Sequence, residues 1–140
     1  MGIQEKHVIT GLRILVADDN RDSADLFAMF IERGLECALP RGFEAMVTMQ
    51  SWMFLSSYEK LRAKILQESS IECLVHMANM VMGIAFGTAA TICKKGGSPL
   101  SRGAYCFVEY EDLDKAGKPR QFPPLNDRNL KAVKQVGAEL

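Results

Sequence analysis

The chain has 140 residues, which suits one small domain or a piece of a larger one, and its 48% hydrophobic content supports a packed core. Its 17 basic and 17 acidic residues balance, so the composition gives no support for a basic nucleic-acid-binding protein, although a basic face fits within a neutral total. The four cysteines form no CxxC pair, which argues against a metal site. The first ten residues lack the apolar stretch of a secretory signal, so we expect a cytoplasmic protein.

The first predicted element is a buried strand over residues 12–17, a short run rich in branched apolar side chains. It ends in the acidic loop Asp18-Asp19-Asn20, and a helix is predicted to follow from about Ser23 to Glu36. The apolar residues of this helix are expected to share one broad buried face: Leu26, Phe27, Phe30, Ile31 and Leu35.

The next part of the chain alternates between predicted strands and a helix. In residues 43–49, Phe43, Ala45, Val47 and Met49 alternate with Glu44, Met46 and Thr48, and we interpret the two sets as largely apolar, which is typical of a strand covered on both faces. Ser56 and Glu59 have the spacing of a capping box, which predicts a helix over residues 56–66. Further strands are predicted over residues 71–77, 88–93 and, as a last possibility, 105–110.

Residues 73–93 contain no Asp, Glu, Lys or Arg, so two interpretations of this segment compete. Its Gly83 and Gly87 have the GxxxG spacing of packed transmembrane helices. Polar residues such as His76 and Asn79, and the lack of flanking aromatic and basic belts, favour two buried strands joined by a loop. We therefore expect no membrane association, and a small membrane-associated protein remains the alternative.

The sequence around the acidic loop resembles the start of a response-regulator receiver domain. In that family an acidic pair after the first strand helps to hold Mg²⁺ beside a phospho-accepting aspartate, and Asp18 and Asp19 stand in the matching positions. The acceptor aspartate is expected about 35 to 45 residues further on, by the resemblance, yet residues 41–71 contain no aspartate. A receiver-type signalling module is therefore an alternative function.

A longer stretch, residues 23–94, resembles the catalytic domain of adenine-specific N6 DNA methyltransferases of type II restriction-modification and BREX-type phage-defence systems. Residues 25–35 (DLFAMFIERGL) look like the helix that follows the catalytic strand in that family, and Pro40-Arg41-Gly42 stands where the family has a Pro-Gly-Gly turn. Residues 46–62 look like the next strand, loop and helix, and residues 83–90 are similar to the loop and strand beside the target-base pocket.

The resemblance implies an α/β fold, a partial Rossmann-like methyltransferase sheet with flanking helices, and S-adenosylmethionine as the family cofactor. It places Asp25, Leu26 and Phe30 at the cofactor pocket, with Phe30 against the cofactor's adenine. Phe86, or less favourably Met82, falls near the aromatic position that stacks on an adenine extruded from duplex DNA. For each of these residues, ordinary core packing is the alternative.

No catalytic residue is assigned, because the family's Asn/Asp-Pro-Pro-aromatic tetrad does not occur in the sequence. Pro123-Pro124 lies between Phe122 and Leu125, in the wrong order for it. We therefore predict a fragment of a DNA adenine methyltransferase that is inactive alone, with the missing half of the enzyme as a possible partner. The predicted divisions are a lead-in over residues 1–22, a methyltransferase part over residues 23–95, and a linker or tail with one possible strand over residues 96–140.

Overall fold

The computed structural model describes residues 26–98 and 100–130, which form one four-stranded sheet with two α-helices. The elements are α1 (Leu26–Cys37), β1 (Phe43–Met49), α2 (Glu59–Glu68), β2 (Ser69–Met77), β3 (Thr88–Lys95) and β4 (Ala104–Val108). Short 3-10 turns cover Gln50–Met53, Ser56–Tyr58, Val81–Gly83 and Tyr110–Asp112. The strand predicted over residues 12–17 and the acidic loop after it lie outside the described residues.

The sheet is mixed, because β3 lies between β1 and β2 and runs antiparallel to both. Strand β4 pairs parallel to β2 on the far side, so β1, β2 and β4 all point in one direction. We call the edge where these three strands end and β3 begins the carboxyl edge, and the opposite one the amino edge. The architecture confirms the predicted α/β fold class. It argues against a receiver domain over these residues, because doubly wound folds of that type have parallel central strands.

The main hydrophobic core lies between the two helices and one face of the sheet. Helix α1 contributes Ile31 and Leu35, and α2 contributes Leu61 and Ile65, each pair four residues apart and so on one side of its helix. Cys93 of β3 and the aromatic residues Trp52 and Tyr58 complete this cluster.

The predicted broad face of α1 is wrong in part. Ile31 and Leu35 are buried and Phe27 packs beside them, but Leu26 and Phe30 are 51% and 54% exposed. Leu26 and Phe30 are also four residues apart, so they form a second apolar stripe that the helical turn rotates away from the sheet. The periodicity of the sequence fits two adjacent stripes as well as one broad face.

Strand β1 buries the opposite face from the one that its composition suggests. Glu44 and Thr48 face the helices and are buried, whereas Phe43 and Val47 are more than 60% exposed. The prediction that both faces are covered is therefore wrong for the described residues. On the uncovered face the side chains of β1, β2 and β3 line an apolar groove of about 270 Å³.

Two further predictions about local structure need correction. Ser56 begins a 3-10 turn, and the residue that caps α2 is Tyr58, with no side-chain cap bond, so the predicted capping box is absent. Arg62 instead fixes the entry to α2 by donating to the backbone carbonyls of Trp52 and Leu55, at 2.8 and 2.6 Å. Residues 73–93 form the end of β2, a loop and most of β3, and among the described residues no helix is long and apolar enough to cross a membrane.

The residues after β3 include the possible last strand, which is β4, and close its outer edge. Asn126 and Asn129 each donate a side-chain amide to the carbonyl of Phe107, at 2.8 and 3.0 Å. Asn129 also accepts the Phe107 N–H at 2.9 Å. These side chains satisfy backbone groups that an edge strand otherwise offers to another strand. A smaller core of Met77, Val81 and Val108 lies beneath this region.

Candidate functional site at the carboxyl edge

A row of polar contacts joins the ends of β1 and β2 to the start of β3. Gln50 follows β1 directly, and its N–H donates to the carbonyl of Gly87 at 3.1 Å. Its side-chain oxygen lies 2.6 Å from Nε2 of His76, so a ring that carries its proton on Nε2 donates to it. A Cβ atom at residue 87 would lie only 2.3 Å from that same oxygen. Gln50 can therefore contact His76 in this way only because residue 87 is a glycine.

The surroundings of His76 favour its uncharged form. Burial, and then the positive charge of Arg128, lower the pKa of His76 below its ordinary value. The His76 ring contacts the ring of Phe107, with 4.6 Å between centroids, and the Arg128 guanidinium lies 4.3 Å from the Phe107 centroid. A neutral imidazole can donate one hydrogen bond and accept another, so this row suits positioning of a polar group rather than charge stabilisation.

The turn after β1 is anchored by a buried hydrogen bond. The Trp52 indole Nε1–H donates to the Thr48 hydroxyl at 3.0 Å, and both residues are buried. An indole N–H taken out of water needs an acceptor, which explains why a threonine occupies the helix-facing side of β1. This bond holds the segment from Gln50 to Met53 against the sheet and so fixes where Gln50 begins.

The loop between β2 and β3 projects from the same edge with an unusual backbone. Met80 and Met82 have φ angles of +69° and +56°, in the left-handed region that favours glycine. Between them Val81 is buried, while Met80 and Met82 are 50% and 67% exposed. Phe86, near the start of β3, is half exposed.

The residues predicted for the cofactor and base pockets lie in two places. Leu26 and Phe30 are on α1, whose last turn lies at the amino edge, because Lys95 at the end of β3 donates to the carbonyl of Glu36. The first turn of α1, with Leu26, therefore points toward the carboxyl edge. Phe86 and Met82 share the β2–β3 loop at that edge. Asp25 lies outside the described residues, and the roles of all five remain predictions.

The sequence interpretation missed Gln50 and the functional side of His76 and Gly87. His76 was named only as a polar residue of the uncharged segment, and Gly87 only for its GxxxG spacing and as part of the family resemblance over residues 83–90. The available signal was position, since a polar residue directly after one strand and another at the end of the next are brought to one edge when the two strands are parallel.

The fold is similar to that of a solved structure. The structure is similar to a class I S-adenosylmethionine-dependent methyltransferase from Listeria monocytogenes, with a TM-score of 0.52 and 15% sequence identity, over 79% of this chain and 31% of that one. The described part of the chain therefore has the class I methyltransferase fold.

Sequence comparisons narrow the class to a family. Residues 13–81 match the family model described as the Eco57I restriction-modification methylase. The chain is 39% identical over 110 residues to the adenine-specific methyltransferase BrxX of Escherichia coli O9:H4, and 45% identical over 42 residues to the adenine-specific methyltransferase PglX of Lacticaseibacillus casei. The chain is thus a partial match to the adenine-specific methyltransferases, as predicted.

The extent of these matches is itself informative. They cover 76% and 30% of this chain but only 9% and 4% of the two relatives, so the chain spans a small part of their length. The family match also begins at residue 13, so it includes residues 13–22 of the predicted lead-in, with its receiver-like loop. Those residues are accordingly part of the methylase match.

Proposed function

We propose that this chain forms the part of a DNA adenine N6-methyltransferase that lies beside the cofactor and the target base, and that methyl transfer requires further polypeptide. The observation that carries the proposal is the 39% identity to an adenine-specific methyltransferase over 76% of the chain. S-Adenosylmethionine is the proposed cofactor and duplex DNA the proposed substrate.

The need for further polypeptide rests on the chemistry of the reaction. The exocyclic amine of adenine is a weak nucleophile, so the family positions it with hydrogen-bond acceptors in an Asn/Asp-Pro-Pro-aromatic tetrad. The only Pro-Pro pair here has another use, because Pro124 is buried and its carbonyl accepts the Asn129 side-chain amide at 2.7 Å. We propose that the acceptors come from another segment, the remaining half of the enzyme.

The described residues fit one apolar wall of a cofactor pocket. When bound, S-adenosylmethionine supplies an electrophilic methyl group on a sulfonium. Leu26 and Phe30 form an exposed apolar pair one helical turn apart, and a flat aromatic ring such as Phe30 suits stacking against adenine. Their exposure on a helix that already buries Ile31 and Leu35 supports a role outside the core. Asp25 is proposed to complete this wall.

For the target base we propose Phe86 as the stacking residue, with Met82 as the second candidate. An adenine extruded from the duplex needs an apolar surface to replace its lost stacking. Phe86 is an exposed aromatic side chain directly before Gly87 and the row formed by Gln50 and His76. That row is proposed to hold the loop carrying Phe86 in place.

Calorimetry with S-adenosylmethionine tests the cofactor wall. We expect measurable binding by the 140-residue chain and a loss of about tenfold in affinity for Phe30→Ala, since roughly 1.5 kcal/mol of apolar contact is removed. Phe43→Ala is the matched control, because Phe43 is 63% exposed but lies at the amino edge. Absence of binding by the wild type, or equal affinity of both variants, would refute the wall.

A segment exchange tests the catalytic part of the proposal. The BrxX segment that aligns with this chain is replaced by the chain's own residues, and N6-methyladenine is measured in cellular DNA. We expect the chimera to methylate DNA and the isolated chain to transfer no methyl group. Phe86→Ala in the chimera is expected to lower methylation activity because about 1–3 kcal/mol of base stacking is lost, by analogy with base–aromatic stacking measured by alanine substitution. A folded but inactive chimera would contradict the proposal.

A further inference from the structure

We infer that the β2–β3 loop and the turn over residues 114–120 together form a contact surface for duplex DNA. In this surface Met80 and Met82 enter a groove of the duplex, while Lys115, Lys118 and Arg120 contact the phosphates beside it. The inference rests on the proposed function and adds to it a surface for the DNA around the target base.

A backbone hydrogen bond holds the two segments together. The N–H of Met82 donates to the carbonyl of Gly117 at 3.0 Å. Gly117 has a φ of +75°, and a Cβ atom there would lie 3.7 Å from the backbone N of Gly83. The apolar loop and the basic turn are therefore fixed side by side, although more than thirty residues separate them in sequence.

The turn is held by hydrogen bonds of its own, and the Asp114 carboxylate takes part in them. The backbone N–H of Asp114 donates to the carbonyl of Lys118 at 2.7 Å. The Asp114 side chain accepts the N–H groups of Ala116 and Lys118, at 2.8 and 3.0 Å. These two bonds lower the pKa of Asp114, which keeps this carboxylate ionised and directed at the backbone.

The charge of the turn differs from that of the whole chain. Residues 114–120 contain three cationic side chains and one carboxylate, and Lys115, Lys118 and Arg120 are all exposed. The neighbouring acids are Glu109, Glu111 and Asp112. Asp112 accepts the Glu109 N–H and an Asn126 amide, and Glu109 lies 3.7 Å from Arg128, so Glu111 is the exposed acid beside the cations. The turn therefore carries a net charge of +2 within a neutral chain, with the acids of residues 109–112 beside it.

Met80 and Met82 are exposed by a backbone conformation that is unfavourable for methionine. The left-handed region is unfavourable for a non-glycine residue, yet Met80 and Met82 both occupy it while half or more exposed. The buried Val81 anchors the loop between them. Flexible apolar side chains such as Met serve as wedges between base steps in DNA-bending proteins.

Duplex DNA is the occupant that satisfies both halves of this surface. Phosphates on two strands flank every groove, which matches an apolar tip with lysines and an arginine beside it. The same edge carries Phe86, the residue proposed to stack on the extruded base. A purely apolar protein partner would leave the three cations without a counterpart.

Fluorescence anisotropy of a labelled duplex, measured over a series of salt concentrations, tests the surface with the full 140-residue chain. Met82→Asn removes an apolar side chain from the β2–β3 loop, and asparagine is chosen because it tolerates the left-handed backbone. Leu66→Asn is the matched control. Leu66 is 59% exposed in the last part of α2, beside the amino edge. The cations are removed singly, by Lys115→Gln and Lys118→Gln, with Arg102→Gln before β4 as the control.

We expect Met82→Asn to lower duplex affinity about tenfold without changing the melting temperature of the protein. Each lysine variant is expected to reduce the slope of log affinity against log salt by about 1, and the controls to change neither quantity. Absence of duplex binding by the wild type at low salt, or equal effects of the tip and control variants, overturns the inference. Cofactor calorimetry on the same samples separates the two ideas, since cofactor binding without duplex binding refutes only this surface, and the reverse refutes only the cofactor wall.

Discussion

Gly34 of α1 lies against Glu44 of β1, and we predict that the effect of Gly34→Ala on stability changes sign when the Glu44 side chain is removed. A Cβ atom at residue 34 would lie 2.7 Å from Cγ of Glu44, closer than side-chain atoms approach. Glu44 is 7% exposed, so its side chain has little room to move aside. Gly34→Ala should therefore be destabilising here, although alanine is the better residue in a helix.

The magnitudes follow from two opposing effects. Alanine gains about 0.8–1.0 kcal/mol over glycine inside a helix, whereas overpacking a filled contact costs about 1–3 kcal/mol. We expect Gly34→Ala to destabilise the wild type by about 0–2 kcal/mol. In a Glu44→Ala background the clash is gone, so the same substitution should stabilise by about 1 kcal/mol.

Thermal denaturation of the wild type, both single variants and the double variant measures this coupling. For a domain of this size 1 kcal/mol corresponds to roughly 4–8 °C in melting temperature. The reasoning fails if Gly34→Ala stabilises the wild type, or if it has the same effect in both backgrounds. The result also bears on the proposed cofactor wall, because the same helix carries Leu26 and Phe30 on its exposed side.

Two further predictions concern groups buried beside these contacts. Burial raises the pKa of Glu44 and one of its oxygens has no partner among the described residues, so the carboxyl holds its proton more tightly in the folded chain than in the unfolded one. The contribution of Glu44 to folding stability should be fully present below its ordinary pKa of about 4.5 and be lost as the pH rises through the folded-state pKa. Urea titrations should show that Glu44→Gln raises the free energy of unfolding by about 1–3 kcal/mol at neutral pH and by little near pH 4.5. Gly87→Ala should cost about 1–3 kcal/mol by displacing Gln50, and NMR titration should show the pKa of His76 rising toward its ordinary value as water reaches the ring. A Gln50→Ala background should accept Gly87→Ala without that cost; an equal cost in both backgrounds would contradict the proposed contact.

The elements that could be predicted from sequence are those with a strong local signal. Strand β1 has the predicted bounds, and β2 and β3 start or end within two residues of theirs, because branched and apolar runs bounded by polar turns specify strands locally. The family resemblance rested on the same segments and was confirmed. The facing of β1 could not be predicted, since its more apolar set of side chains is the exposed one and the burial of Glu44 and Thr48 depends on where the helices pack.

The candidate site was predicted only where a family pattern reached it. Phe86 and Met82 came from the resemblance, while Gln50, His76 and Gly87 meet only because β3 inserts between β1 and β2. Such contacts depend on strand order, which a single sequence does not encode in any local pattern. The basic turn was missed for the same reason, because Gly117 meets Met82 through a tertiary hydrogen bond.

The asparagine contacts on β4 leave the two edges of the sheet unequally able to pair with a further strand. With the backbone of Phe107 occupied by Asn126 and Asn129, another strand meets no free partner at the middle of that margin. Strand β1 is paired only to β3 within the described residues, so its outer margin still offers N–H and C=O groups. An additional strand, from the chain itself or from a second polypeptide, is therefore expected to pair at the β1 side of the sheet.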